Sequence, residues 1–422
     1  MKDVIMPLII PRAYRTRLLT IATLFFCLTS MNSIADAQPA APKMSTKLVE
    51  LTVKKNPYQG KIVAHNSAVI YLMERDGWLR RFNVADITSF RKISDQFTPY
   101  SAGEVRDRLR REFRSLEVVG TGHYLVAGPS KVVRDYAQTF EDQYRAVRNY
   151  FAVRGFTIPE PEFPMVAVVF QDFTTFSKNA IADGVEAVPG LKGYYVPESN
   201  RISLFHETPI ASTSPALTSP HVEHPGEILL RKQNDAAPEL NLNAANPNEE
   251  TLSWASTNGD LESTMVHEAT HQVAFNTGIH NRLGTTNPRW LVEGLATAFE
   301  APGMRIAALQ KTPGAKLNEG RLVRFREFAK QRRRPKTLQS FIGNGNLTDE
   351  NLLDGYAQSW ALTYFLLETR PREYAKYVKL IAARPPLEDC TEEQRISDFR
   401  AAFGTDLVLL EAKFLRFIQD LK

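Results

Sequence analysis

The spacing of apolar residues changes along the chain, and each period predicts a kind of element. Leu48 to Val53, Lys61 to Ala64, Ala68 to Met73 and Trp78 to Phe82 read as short strands, the last two joined by a tight turn at Asp76-Gly77. They predict a small β-barrel-like module over residues 47–100. Ser115 to Val119 and His123 to Ala127 predict a second strand pair across Gly120-Thr121-Gly122. From Lys131 to Arg154 the residues Val132, Val133, Tyr136, Phe140, Tyr144, Val147, Tyr150 and Phe151 recur at helical spacing, a stripe that belongs in a core. The unbroken apolar run from Pro164 to Phe170 suits a central strand buried on both faces. Gly193 to Val196 and Arg201 to Phe205 predict a hairpin. Further helices are expected over Leu261 to Phe275, from Pro288 to Glu300, over Gly355 to Leu367, and in the amphipathic stretches Asp398 to Phe403 and Leu407 to Leu421.

Residues 207–256 follow neither period. They are rich in Pro, Ser, Ala and Asn, and a loop of that length inside a domain suggests a functional segment such as a lid. His221 and His224 fall here beside Pro220 and Pro225, which disfavour a helix, so they read as loop histidines rather than a metal pair.

The start of the chain is an address. Arg12, Arg15 and Arg17 precede an apolar run from Leu18 to about Met31, and Ala35-Asp36-Ala37 offers small residues for cleavage. Residues 1–37 are therefore expected to be a signal peptide, residues 38–46 a flexible linker, and the mature protein periplasmic or extracellular. The run is short for a bilayer core of about 30 Å, which disfavours a retained anchor. Removing residues 1–37, with four basic and two acidic side chains, takes the formal charge from +5 to +3, too mild a balance to specify a partner. Cys390 is then the one remaining cysteine, so no internal disulfide supports the fold. Basic side chains do concentrate between Arg321 and Lys336. Few aromatics interleave with them, and with an export signal this points away from nucleic acid and toward a solvated helix face, with association with the cell envelope as the other reading.

The chemistry concentrates in His267-Glu268-Ala269-Thr270-His271. On a helix, residues four apart stack on one face, so His267 and His271 present two imidazoles to one point with Glu268 beside them. Two imidazoles and a carboxylate can hold Zn²⁺ and leave a position for water, which Glu268 would deprotonate. Asn258 or Thr257 can cap this helix and Gly278 can end it; Asn287-Pro288 is expected to cap the next, placing Glu293 early on it.

His267 to His271, followed by Glu293-Gly294-Leu295-Ala296, resembles the pattern of the gluzincins, the thermolysin-like zinc metallopeptidases. The stretches His271 to Gly278 and Trp290 to Ala296 further resemble a bacterial domain family of unknown function in the peptidase-MA-like superfamily, from about residue 105 to the C-terminus. The resemblance implies an α+β, zincin-like domain over residues 101–422, with a mixed sheet, active-site helices and a helical C-terminal part. It implies zinc held by His267, His271 and Glu293, Glu268 as general base, and Tyr356 as candidate donor to the developing oxyanion, with core packing as the other role for that tyrosine. It also implies an edge strand beside the metal helix that pairs with extended peptides, for which residues 201–205 are the candidate. Glu300 is left between support for a ligand histidine and a plain surface carboxylate, and His280 is a surface or supporting residue rather than a fourth ligand. The expected function is an exported zinc metallopeptidase acting on peptide or protein amide bonds. The rival is an inactive peptidase-like binding or cell-envelope structural protein.

Overall fold

A computed structural model describes residues 46–188, 190–206, 261–283, 286–312, 314–344 and 352–422. The expected signal peptide, nearly all of the linker, the long loop at 207–256 with His221 and His224, and the caps at Thr257 and Asn258 lie outside these residues. These described residues fall in one compact unit of mixed α and β structure.

The chain begins with five antiparallel strands: β1 (Leu48–Val53), β2 (Asn56–His65), β3 (Val69–Glu74), β4 (Leu79–Asn83) and β5 (Ile87–Ser94). Their order is β4-β3-β2-β1-β5. The fifth strand has no counterpart in the apolar pattern, because its residues from Thr88 to Ile93 are exposed and the ladder to β1 alone defines it.

Arg282 fastens this sheet to the rest. Its guanidinium donates to the carbonyls of Pro197 at 2.7 Å, Gly77 at 2.6 Å and Glu198 at 3.2 Å. Phe163 packs nearby among Val63, Met73 and Leu79.

Helix α1 (Ala102–Glu112) follows, opened by a capping box between Ser101 and Glu104. The sequence shows only a charged stretch here, since just Val105 and Leu109, one turn apart, are buried.

The second sheet contains β6 (Glu117–Gly120), β7 (Tyr124–Gly128), β8 (Met165–Phe170), β9 (Gly193–Val196) and β10 (Arg201–Phe205), in the order β6-β7-β8-β10-β9. The strand β8 is central and parallel to both neighbours. Its alternate residues serve two cores: Met165, Ala167 and Val169 face the larger, while Val166, Val168 and Phe170 face the smaller. Helices α2 (Val133–Ala152) and α4 (Leu261–Asn276) contribute to the larger core, and α1 and α3 (Phe173–Ala182) to the smaller. The edge strand is β9, not residues 201–205 as expected. β10 is paired on both sides, with β8 and with β9.

The remaining helices are α5 (Arg289–Glu300), α6 (Pro302–Arg305), α7 (Glu319–Gln331), α8 (Thr337–Asn344), α9 (Leu352–Thr369), α10 (Pro371–Ala382), α11 (Glu392–Phe403) and α12 (Leu407–Asp420). The helices α5 and α9 approach so closely at Gly294 that a Cβ there would lie 2.6 Å from the Ser359 carbonyl oxygen.

Four of the eight basic side chains between Arg321 and Lys336 are tied to other parts of the fold, while Lys330, Arg334 and Lys336 are exposed. Arg324 and Arg332 bind Asp354 at 2.6 and 2.8 Å, Arg326 donates to the carbonyls of Ile418 and Leu421, and Arg333 pairs with Glu411. No helix among the described residues is long and apolar enough to cross a membrane.

Candidate metal centre

Helix α4 is enclosed on every side, with every residue from Thr264 to Phe275 buried. A helix so placed must satisfy its polar side chains internally. Thr270 donates to the Val266 carbonyl and accepts from Gln143 Nε2, both at 2.7 Å, and Gln272 Nε2 donates to the Asn200 carbonyl at 2.7 Å. Gly278, at φ +70°, ends the helix as expected. Asn287 does not cap α5; it is spent on the preceding loop, its Nδ2 donating to the Asn281 carbonyl at 2.6 Å, and Pro288 occupies the cap position.

One turn of α4 carries His267 and His271, and α5 brings Glu293 against them; all three are buried. The two Nε2 atoms are 3.0 Å apart, and Glu293 Oε2 lies 3.3 Å from the first and 3.6 Å from the second. This group could hold a metal ion. Donors bound tetrahedrally at about 2.0–2.1 Å must lie about 3.3–3.4 Å apart, which is the mean size of this triangle. The fit is also chemical: two imidazole nitrogens and a carboxylate oxygen point at one place, and neither Glu293 oxygen has a hydrogen-bond partner among the described residues.

Behind His267, Glu300 Oε1 accepts from Nδ1 at 2.7 Å, and Glu300 Oε2 accepts from Asn318 Nδ2 at 2.6 Å. Glu300 therefore supports the ring of His267, one of the three side chains that could hold the ion. The bond keeps a proton on Nδ1 and turns Nε2 toward Glu293. Asn318, which also caps α7 through the Arg321 N–H, was not apparent from the sequence, since it is far along the chain in a polar segment.

The charges are coupled. Burial pushes His267 down, but the nearby Glu293 and Glu300 carboxylates outweigh it and lift the imidazole to about 10. Burial alone would raise Glu293, yet the attraction of His271 and His267 holds it well below the carboxylate range. His271 is lowered, chiefly by burial. These directions give the short Nε2 to Nε2 contact one consistent reading, in which His267 donates and neutral His271 accepts.

Glu268 is fully buried, and burial raises it to about 8. Neither of its oxygens accepts a hydrogen bond among the described residues; the Tyr195 N–H of edge strand β9 acts on it electrostatically without completing one. His280 is buried rather than superficial. It packs 5.5 Å from Phe275, outside the group of three, and burial lowers it to about 3.

Tyr356 lies on α9, nearly buried, with the Arg321 guanidinium 5.3 Å from its ring centroid. Burial raises its phenol far above its ordinary value, and Glu293, Arg289, Arg321 and Glu268 all act on it. That places the tyrosine within electrostatic reach of both carboxylates.

The family described as "Protein of unknown function (DUF1570)" matches residues 262–388, a span that begins on α4 and includes Glu293, Glu300 and Tyr356. No curated protein matches the chain. Over residues 262–388 the chain is thus similar to that family.

Proposed function

We propose that this chain is an exported zinc-dependent metallopeptidase of gluzincin type with a zincin-like fold, and that it hydrolyses peptide or protein amide bonds. The observation that carries this reading is the buried triangle of His267, His271 and Glu293 with the carboxyl of Glu268 alongside, bonded to nothing among the described residues. Two histidines and one carboxylate are the ligand set of a catalytic zinc site with an open position, and zinc there would polarise a carbonyl and acidify water.

The chain's own residues would do the rest. Glu293 supplies negative charge that keeps the site cation-seeking, and Glu300 fixes the His267 ring. Glu268, which burial raises to about 8, takes in its ionised form a proton from the attacking water and returns it to the leaving amine. Tyr356 is the candidate donor to the oxyanion, since its phenol lies within electrostatic influence of both Glu268 and Glu293. Export rests on the residue pattern of the first 37 positions.

Glu268→Gln tests the reading. It keeps the volume and removes the base, so zinc content should stay at about one per chain while peptide hydrolysis is abolished. A variant that still hydrolyses peptides refutes the role of Glu268. A wild-type protein that neither takes up metal nor cleaves would favour the rival, an inactive binding or envelope protein.

A further inference from the structure

Two guanidinium groups beside the candidate site have no carboxylate partner among the described residues. Arg289 is the first residue of α5, one turn before Glu293, so the two side chains project from the same helix face. It is half-buried; its Nε and Nη2 are closed off from solvent with no acceptor among the described residues, and it forms no ion pair among them. Arg321 lies at the start of α7, also half-buried, and its guanidinium rests against the Tyr356 ring without any ion pair among the described residues. The contrast with the same basic run matters. Arg324, Arg332 and Arg333 each have a carboxylate, whereas Arg321, the one against Tyr356, has none among the described residues. Leaving a guanidinium half-desolvated and unpaired is unfavourable, and a bound anion relieves it.

We infer that Arg289 and Arg321 form a carboxylate-recognition site flanking Tyr356, and that the substrate presents a carboxylate close to the bond that is cut. This rests on the peptidase reading above and narrows its substrate class. The planar fork of arginine suits a carboxylate in bidentate contact. In a peptide the group has two sources, the C-terminus or an Asp or Glu side chain. With the C-terminus as source, water adds hydroxyl to the acyl carbon and hydrogen to the amine as the C–N bond breaks, releasing a terminal amino acid and a shortened peptide.

The test measures binding and cleavage separately. Acetylated peptides of one sequence are prepared as free acid, as amide, and as amide with Asp or Glu next to the terminus. Their binding is measured by calorimetry on the full chain carrying Glu268→Gln, and their cleavage by mass spectrometry on the parent chain. Charge-assisted bidentate bonds predict that one carboxylate-bearing series binds about ten- to a hundredfold more tightly than the neutral amide. Arg289→Gln and Arg321→Gln should each erase most of that difference, whereas Arg289→Lys and Arg321→Lys keep the charge and part of the preference. Preference for the free acid assigns the C-terminus, and preference for the acidic amide assigns the side chain.

Equal binding of all peptides overturns the inference, even if all are cleaved, in which case the peptidase reading stands. Selective binding without cleavage keeps the carboxylate site and refutes the peptidase reading. Equal losses on acid and amide peptides would assign the arginines to the reaction centre, and a fall in unfolding temperature with selectivity intact would make them structural; both outcomes refute the inference.

Discussion

Replacing Glu300 by Gln probes the metal centre without touching a ligand. Glu300 spans two donors, His267 Nδ1 at 2.7 Å and Asn318 Nδ2 at 2.6 Å, and as a carboxylate it accepts from both. An amide cannot. If its oxygen serves His267, its NH₂ faces the Asn318 donor; if it flips, the NH₂ faces Nδ1 and drives the ring proton onto Nε2, the ligating atom. Either way one buried bond and one negative charge are lost. Supporting carboxylates of this kind are worth about 10- to 100-fold in metal affinity, or about 1.4–2.7 kcal/mol. The same change weakens the proton that competes for His267, so part of the loss is cancelled where that imidazole is protonated. Zinc affinity, measured by chelator competition, should therefore fall about tenfold near neutral pH and more toward pH 9. Unfolding of the metal-free variant serves as the control for folding. Equal affinities for variant and parent across that pH range would refute the assignment of Glu300 as the group that orients His267.

Three further outcomes follow from the same geometry. Because the metal must displace a proton from His267, raised to about 10, uptake near pH 7 should release about one proton from that ring and tighten about tenfold per pH unit; calorimetry in buffers of different ionisation enthalpy checks this, and a pH-independent affinity would sink it. Gly294→Ala should destabilise by about 1–3 kcal/mol, since its methyl would meet the Ser359 carbonyl at 2.6 Å, and denaturant unfolding will show whether α9 can yield instead. Burial lowers His280 to about 3, so the unfolded chain takes up a proton that the folded chain refuses. Stability from this group is present above about pH 6.5 and is lost as pH falls toward 3, about 2 kcal/mol by pH 5; His280→Phe should flatten that acid limb, and an unchanged limb would show that the histidine titrates freely.

What the sequence reveals depends on how local the cause is. The two histidines and Glu268 are legible because four-residue spacing on a helix is enough to bring them together. The strand β8 is legible because burial on both faces leaves an unbroken apolar run. The helix α1 is not, because a surface helix anchored by Val105 and Leu109 alone has too narrow a stripe, and its capping box is the one signal available. The edge strand is hidden from the sequence for a related reason. Both arms of the hairpin are apolar, and only the parallel pairing of β10 with β8 decides which lies inside.

Electrostatic partners are the least legible of all. The same stretch of basic residues contains arginines that bind Asp354, Glu411 and the last carbonyls of the chain, and two, Arg321 and Arg334, that bind none of them among the described residues, of which only Arg321 is half-buried. Nothing in composition separates the two kinds. What separates them is whether the fold brings a carboxylate within reach, as it does for the Asp354 pairs at the start of α9 and does not, among the described residues, for Arg289 and Arg321. An unpaired charge beside a buried acidic and histidine cluster is a fact of tertiary structure, which is why it speaks to ligand chemistry in a way that the charge count of the run does not.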